Sequence, residues 1–191
     1  MVEVSRREAD HREYLAYIIR KLDEPGLLLA APGLPGQPAN AMTIGWATFG
    51  IIWGLPICVV LVRPSRHTYE LIEASQDFTV NVPGRGMEDE VAVFGTKSGR
   101  DCDKFAATGL VARPSRTVKA PTISECVIAC ECKVVHFNDV TPANLAPQVD
   151  ASSYPRGDYH RLYYGQILVT TIHPDAENRD ADFPRSERLR D

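Results

Sequence analysis

The chain lacks the long apolar segments that a membrane protein needs. No apolar run among its 191 residues approaches the roughly 20 required to cross a bilayer. The first ten residues are largely charged and lack the apolar centre of a signal peptide. We therefore expect a cytoplasmic protein with no membrane partner.

The sequence also lacks an excess of basic residues. Its 21 lysines and arginines are outnumbered by 25 aspartates and glutamates, which gives a formal net charge of −4. This balance provides no basic surface of the kind that nucleic-acid-binding proteins use. We expect no nucleic-acid partner, and the length suits one domain.

Common nucleotide and metal motifs are missing too. There is no G-x-G-x-x-G and no Walker-type loop, so nothing indicates a Rossmann or P-loop site. The five cysteines show no C-x-x-C spacing and no nearby H-x-x-x-H, so we expect no metal site. Cys126, Cys130 and Cys132 alternate as on one face of a strand, which favours buried free thiols. A redox role for Cys102 stays open.

The pattern along the chain divides it into three parts. Residues 1–24 form a helical lead-in, with an amphipathic helix over 6–22 that ends at Asp23-Glu-Pro-Gly26. Residues 25–173 form the main domain. Residues 174–191 are charged and patternless, which predicts a surface arm or a frayed end.

Short β-branched and alternating runs dominate the main domain. They predict strands over 27–31, 40–49, 56–62, 77–82, 122–137 and 160–173. Helical spacing predicts short helices over 69–76, 87–94 and 101–105, and residues 138–157 form a polar, proline-bearing excursion. Because strands outnumber helices and lack crossover helices, a mainly antiparallel barrel is favoured over a doubly wound parallel sheet.

The stretch Arg63-Pro-Ser-Arg-His-Thr68 joins a buried strand to a helix. Ser65 is in position to cap the helix, whose free N–H groups and positive dipole end attract an anion. The two arginines of the stretch can fork onto phosphate oxygens. The alternative, an ordinary turn with two solvated arginines, is equally compatible with this stretch alone.

Two other features of the same region are unusual. Gly45 inside a predicted strand indicates either a close approach to the backbone or, equally commonly, a bulge or a barrel corner. The predicted loop 50–56 carries Ile51, Ile52, Trp53 and Leu55, which are too apolar for solvent. A partner subunit, a ligand or the chain itself must cover them.

Four segments in this order resemble the flavin reductase-like, flavoredoxin-type FMN-binding split barrels. They are Asn40–Thr48, Arg63–Thr68, Phe78–Pro83 and Ser98–Phe105, and the late segment His160–Leu168 is similar to that family's penultimate strand. The resemblance implies a six-stranded antiparallel Greek-key split β-barrel with short flanking helices over residues 25–173. It also implies a homodimer that holds FMN at its subunit interface.

The same resemblance implies a set of site residues. The flavin ring would meet the backbone of Met42, Thr43, Ile44 and Trp46. The phosphate would be held by Arg63, Ser65, Arg66 and Thr68, with Ser98, Gly99 and Lys104 closing that end. Asn81 would reach the ring or the ribityl chain, and His160 would lie near the nicotinamide side.

The leading functional hypothesis is an FMN-dependent oxidoreductase. Electrons would pass from NADH or NADPH through FMN to a flavin, a metal complex or a protein acceptor. A second hypothesis is a non-catalytic flavin-binding electron carrier without a nicotinamide site. A third is a structural dimer that has lost its cofactor, but the intact pair of arginines at a helix N-terminus argues against it.

Overall fold

A computed structural model describes residues 5–184 of the chain. Within them the strands are β1 (Arg7–Glu8), β2 (Leu27–Ala31), β3 (Asn40–Ile44), β4 (Ala47–Ile52), β5 (Leu55–Val62), β6 (Asp77–Val82), β7 (Ala112–Arg113), β8 (Thr122–Ile123), β9 (Ile128–Asp139) and β10 (Arg161–Ile172). The helices are α1 (Leu15–Asp23), α2 (His67–Ser75), α3 (Glu88–Thr96), α4 (Lys104–Thr108), α5 (Pro147–Ser153) and α6 (Ala176–Arg179), with 3₁₀ turns at His11–Tyr14 and Pro142–Asn144. None of these helices has the length and apolar character needed to cross a membrane.

The main sheet is antiparallel throughout and runs in the order β3-β2-β6-β9-β10-β5-β4, with β1 added beside β10. Its two end strands, β3 and β4, are consecutive in the chain and are separated only by Gly45 and Trp46. The sheet must therefore curl until its ends meet at this corner, which gives a barrel left unpaired between β3 and β4. The mainly antiparallel β architecture with short helices is confirmed.

The number of strands differs from the predicted six. The sheet has eight, because the predicted strand 40–49 breaks at the Gly45-Trp46 corner into β3 and β4, and because β1 joins β10. The predicted loop 50–56 is wrong: β4 and β5 form a hairpin. Its turn is Trp53-Gly54, with φ of 55° and 71°, the left-handed pair that a tight hairpin requires.

Strand β2 is covered on both faces, which explains its unbroken apolar sequence. Leu27, Leu29 and Ala31 belong to the main core inside the barrel, whereas Leu28 and Ala30 belong to a second apolar cluster. Since neighbouring side chains of a strand point to opposite faces, both clusters draw on one short segment. The second cluster is closed by side chains of α3.

The cysteines fall into both clusters. Cys130 and Cys132 lie in the main core, but Cys126 precedes β9 and lies in the second cluster, so the prediction of one shared face is wrong for Cys126. The chain breaks its strand pattern between Ile123 and Ile128, which turns Cys126 away. All five cysteines are free thiols, and burial raises the pKa of Cys130 to about 12.

The two ends of the described chain pack together. The lead-in helix starts at Leu15, later than predicted, because residues 7–8 extend the sheet as β1. Phe183 is 4% exposed and lies between Tyr14 and Tyr17, at 5.3 Å from each ring centroid. The patternless arm predicted from residue 174 is therefore wrong up to residue 184, and residues 185–191 lie outside the described part.

Asp180 joins the C-terminal segment to α1 through a buried polar contact. Its carboxylate accepts a hydrogen bond of 2.8 Å from the Tyr17 hydroxyl and lies 2.5 Å from the Lys21 ammonium. Burial alone would raise the pKa of Asp180, but the bonds from Lys21 and Tyr17 outweigh burial and lower it. A lowered pKa contributes stability that is present at neutral pH and is lost as the pH falls through the folded-state value.

Tyr17→Phe is expected to lower the free energy of unfolding by about 1 kcal/mol at pH 7, the usual net contribution of one hydrogen bond. The difference from wild type should shrink in acid, because protonation of Asp180 weakens the hydrogen bond from Tyr17 that only the wild type makes. Denaturant titrations at several pH values measure this. An equal difference at pH 7 and at pH 3 would contradict a role for the ionised carboxylate.

Candidate functional site

A cavity of about 190 Å³ opens at the corner where β3 ends and β4 begins. Seven of the predicted site residues line it: Met42, Thr43, Ile44, Trp46, Arg63, Arg66 and His160. Gly45 and Leu61 complete its wall. Gly45 leaves room here, since a side-chain carbon at this position would meet only one backbone atom, at 3.9 Å.

A second cavity of about 110 Å³ adjoins the first, because Met42 and Arg66 belong to both walls. It is lined by five further predicted residues: Ser65, Thr68, Ser98, Gly99 and Lys104. Gly99 packs so closely on Asn40 that an added Cβ would lie 2.3 Å from the amide oxygen. We call the two cavities together the cleft.

Helix α2 points its N-terminus at this second cavity. The helix begins at His67 with Arg66 as its N-cap, and no side chain caps it. The prediction that Ser65 is the cap is wrong, because its hydroxyl donates instead to Asp158 Oδ2 at 2.6 Å. The uncapped first turn leaves backbone N–H groups and the positive dipole end for an anion.

Lys104 is a buried cation in the wall of the second cavity. It is 3% exposed, and its ammonium donates only to the carbonyls of Phe94 and Lys97, at 3.3 and 3.4 Å. Burial is the main cause that lowers its pKa to about 8. The nearby charge of Arg66 lowers the pKa further, whereas Cys102 raises it. No carboxylate in residues 5–184 forms an ion pair with Lys104. An anion in the cavity would supply the missing partner.

Arg63 lines the first cavity, and both of its terminal nitrogens already bond to the protein. Its guanidinium bonds to the carbonyls of Ser153 and Asp158 at 2.8 and 2.9 Å and lies 5.0 Å from the ring centroid of Tyr154. Ser65 is likewise engaged by Asp158 through its N–H and its hydroxyl. Arg63 and Ser65 would have to share or give up these bonds to hold a phosphate, so the role implied for them stays a prediction. Arg66, whose guanidinium has no such bond among residues 5–184, and Lys104 are better placed for it.

His160 lies in the wall of the first cavity and is 8% exposed. Its Nδ1 is 2.8 Å from the hydroxyl of Tyr154, and its ring centroid is 4.9 Å from that of Trp46. Burial lowers its pKa to about 4, with Arg63 contributing and Asp158 opposing. The imidazole is therefore neutral at physiological pH.

Comparisons with known proteins agree with this geometry. A family model described as "Flavin reductase like domain" matches residues 19–184. The chain belongs to the flavin reductase-like family. It is 32% identical over 142 residues to an uncharacterized protein of Pyrococcus abyssi, covering 74% of this chain and 70% of that one.

Two solved structures share the flavin reductase-like fold of this chain. The flavoredoxin of Desulfovibrio vulgaris (Miyazaki F) superposes with a TM-score of 0.65 and 24% identity, covering 86% of this chain and 78% of that one. The FMN-binding domain of a flavin reductases-like enzyme from Shewanella baltica OS155 superposes with a TM-score of 0.62 and 18% identity. That match covers 91% of this chain and 80% of the other. The family resemblance stated from the sequence is confirmed.

Asn81 of this flavin reductase-like chain does not reach the cleft. It is fully buried; its amide nitrogen donates to Leu28 O at 3.3 Å and Thr79 Oγ1 at 2.9 Å, and its oxygen accepts from Ile123 N at 2.9 Å. The alternation of polar and apolar residues in β6 predicted that its polar face is open to a ligand. In the structure β8 covers that face. The ring or ribityl contact implied for Asn81 does not fit.

Tyr154 is the site residue that sequence reasoning missed. It ends α5 in a stretch with the composition of a polar surface loop, and nothing local distinguishes it from neighbouring tyrosines. Its contacts with Trp46 and His160 arise only in the folded barrel.

In residues 5–184 no cluster of three or more His, Cys, Asp or Glu side chains is arranged to hold a metal ion.

Proposed function

We propose that this flavin reductase-like protein binds FMN in the cleft and passes electrons from NADH or NADPH through it to a flavin, a metal complex or a protein acceptor. The observation that carries the proposal is the chemistry of the cleft's two ends. One end is aromatic and apolar around Trp46 and Met42. The other holds Arg66, the uncapped α2 and the buried ammonium of Lys104.

The size and shape of the cleft favour a ligand that spans both cavities. Ligand sites usually measure about 300–1,000 Å³, and each cavity alone is smaller, at about 190 and 110 Å³. FMN has an apolar ring system at one end and a phosphate at the other, as the cleft requires. The Shewanella baltica relative, described as FMN-binding, supports the same cofactor.

The residues divide into three roles. The phosphate would be held by Arg66, Lys104 and the first turn of α2, with Thr68, Ser98 and Gly99 around it. The ring would lie against the corner Met42–Trp46, whose Thr43 hydroxyl is turned away to Val91 O at 2.5 Å, leaving the backbone for contact. Bound FMN supplies the redox chemistry, which no side chain here provides. His160 would place the electron donor from the far side.

The purified protein tests the proposal directly. A visible flavin spectrum that bleaches on addition of NADH or NADPH without air is the expected result. A flavin spectrum that neither nucleotide bleaches would favour the alternative, a flavin-binding electron carrier without a nicotinamide site. Absence of flavin, together with no measurable FMN binding on reconstitution, would contradict both.

His160→Asn is expected to slow anaerobic reduction of the bound flavin by NADH or NADPH about tenfold, since losing one hydrogen bond of roughly 1.4 kcal/mol in the transition state is a factor of ten in rate. FMN affinity should be kept, because the phosphate contacts proposed for Lys104 and the first turn of α2 lie in the second cavity, which His160 does not line. Stopped-flow reduction and a binding titration measure the two quantities. Equal reduction rates in the variant and the wild type would leave His160 with a packing role only.

The hairpin of β4 and β5 carries the surface through which the protein would form a homodimer. Ile51 and Trp53 are each 63% exposed, although the Trp53 ring lies 5.7 Å from the His136 ring and 6.0 Å from the Tyr164 ring, centroid to centroid. Light scattering at micromolar concentration should give the mass of a dimer, and Trp53→Asp should shift it toward a monomer. A monomeric wild type would overturn this expectation.

A further inference from the structure

Residues 147–159, which we call the rim segment, directly precede His160 and contact two residues of the first cavity's wall, Trp46 and Arg63. Two contacts hold the segment to the turn before α2. Arg63 donates to carbonyls of the segment, and the Asp158 carboxylate accepts from the backbone and hydroxyl of Ser65. The segment is therefore fixed relative to the cavity, although it lies in a connection between β9 and β10.

Tyr154 is the residue that the rim segment turns inward. It is 6% exposed, and its ring is stacked on Tyr159 at 4.7 Å and 29°. The Arg63 guanidinium lies 5.0 Å from its ring centroid, and the Trp46 ring packs on it edge to face with centroids 6.4 Å apart. These contacts fix the position of its hydroxyl, 2.8 Å from His160 Nδ1.

The direction of this hydrogen bond follows from the surroundings of the phenol hydroxyl. Among residues 5–184, His160 Nδ1 is the one acceptor within hydrogen-bond distance of it. If Nδ1 donated instead, the buried O–H would be left without an acceptor, so the hydroxyl donates and Nδ1 accepts. A neutral imidazole that accepts at Nδ1 carries its single proton on Nε2.

We propose that Tyr154 is a positioning residue that holds His160 in the Nε2–H tautomer, so that Nε2–H donates a hydrogen bond to an acceptor oxygen of the substrate in the first cavity. Nε2 has no hydrogen-bond partner among residues 5–184. The tautomer stands on the geometry alone, and the catalytic part rests on the proposed function. The ligand it selects is one that presents a carbonyl or anionic oxygen at that point.

The tautomer is tested on the protein itself by NMR of ¹⁵N-histidine-labelled samples. Two-bond ¹H–¹⁵N correlations report which ring nitrogen carries the proton, and His160→Asn identifies the signals of His160 among the five histidines. We expect wild-type His160 to show only Nε2–H from pH 6 to 8, with Arg63, Arg66 and Asp158 as the charges that act on it. An Nδ1–H form, or a mixture, in the wild type would overturn the proposal.

Tyr154→Phe removes the hydroxyl while keeping the ring, and should leave His160 as a mixture of tautomers. Tyr159→Phe is the matched control, since its hydroxyl donates to Asp150 Oδ1 at 2.9 Å and not to His160. Thermal melts confirm that both variants fold. A single Nε2–H tautomer in folded Tyr154→Phe would overturn the role of the hydroxyl.

Stopped-flow kinetics test the catalytic part. Tyr154→Phe should slow flavin reduction by NADH or NADPH about tenfold with unchanged FMN affinity, whereas Tyr159→Phe should match wild type. A wild-type rate in Tyr154→Phe, together with a mixed tautomer, would overturn the catalytic part. If the wild-type protein binds no FMN, the proposed function fails, and the NMR result still decides the tautomer.

Discussion

Gly165→Ala is expected to lower the free energy of unfolding by about 3 kcal/mol, the upper part of the usual range for overpacking. An added Cβ would lie 2.4 Å from Phe78 Cζ and 2.8 Å from Cys132 Cβ. Both neighbours are fully buried in the barrel core, so neither can move without displacing others. The strand pairing of β10 and β9 also shifts between Tyr164 and Gly165.

Gly50→Ala is the matched control for this substitution. Gly50 lies in β4, another strand of the same sheet, and nothing lies within 4 Å of an added Cβ. Its effect should be close to zero, and light scattering checks that neither variant changes assembly. Equal destabilisation of the two variants in denaturant titrations would show that loss of glycine, and not the core contact, is responsible.

The bounds of a strand were predicted well where the local sequence pattern shows whether each of its faces is buried. The predicted bounds of β2 and β6 are those of the structure, and β10 differs by one residue at each end. In these segments an apolar or alternating run covers the whole element. The sequence left open whether Gly45 marks a close approach, a bulge or a barrel corner, and it did not indicate the pairing of β1, because both depend on where distant strands lie.

The site was predicted in part for the same reason. Short-range chemistry brought Arg66 and the start of α2 to notice, and the resemblance added Lys104. The role of Ser65 was misjudged because its partner, Asp158, lies 93 residues away in the chain. A capping pattern read from neighbouring residues carries no information on a distant carboxylate that binds the same hydroxyl. Asn81 was misjudged because a strand's polar face was taken as open when β8 covers it.

Arg63 and Arg66, which the sequence predicted to share the phosphate role, have different surroundings in the structure. Arg66 faces both cavities and caps α2 only through its backbone, whereas Arg63 is bonded to the rim segment. The phosphate of FMN should therefore depend mainly on Arg66. Loss of Arg63 should instead loosen the rim segment, which would displace Tyr154 and with it His160.

Arg66→Ala is expected to raise the dissociation constant for FMN about ten- to a hundredfold, since one charge-assisted contact contributes roughly 1.5–3 kcal/mol. Arg63→Ala should change it less, while slowing reduction by NADH or NADPH through the displaced Tyr154 and His160. Fluorescence titration of FMN against both variants measures the difference, with the exposed Arg113→Ala as a control for lost charge. Unchanged affinity in Arg66→Ala would contradict an anion site at the start of α2. A larger loss in Arg63→Ala than in Arg66→Ala would restore the phosphate role to Arg63.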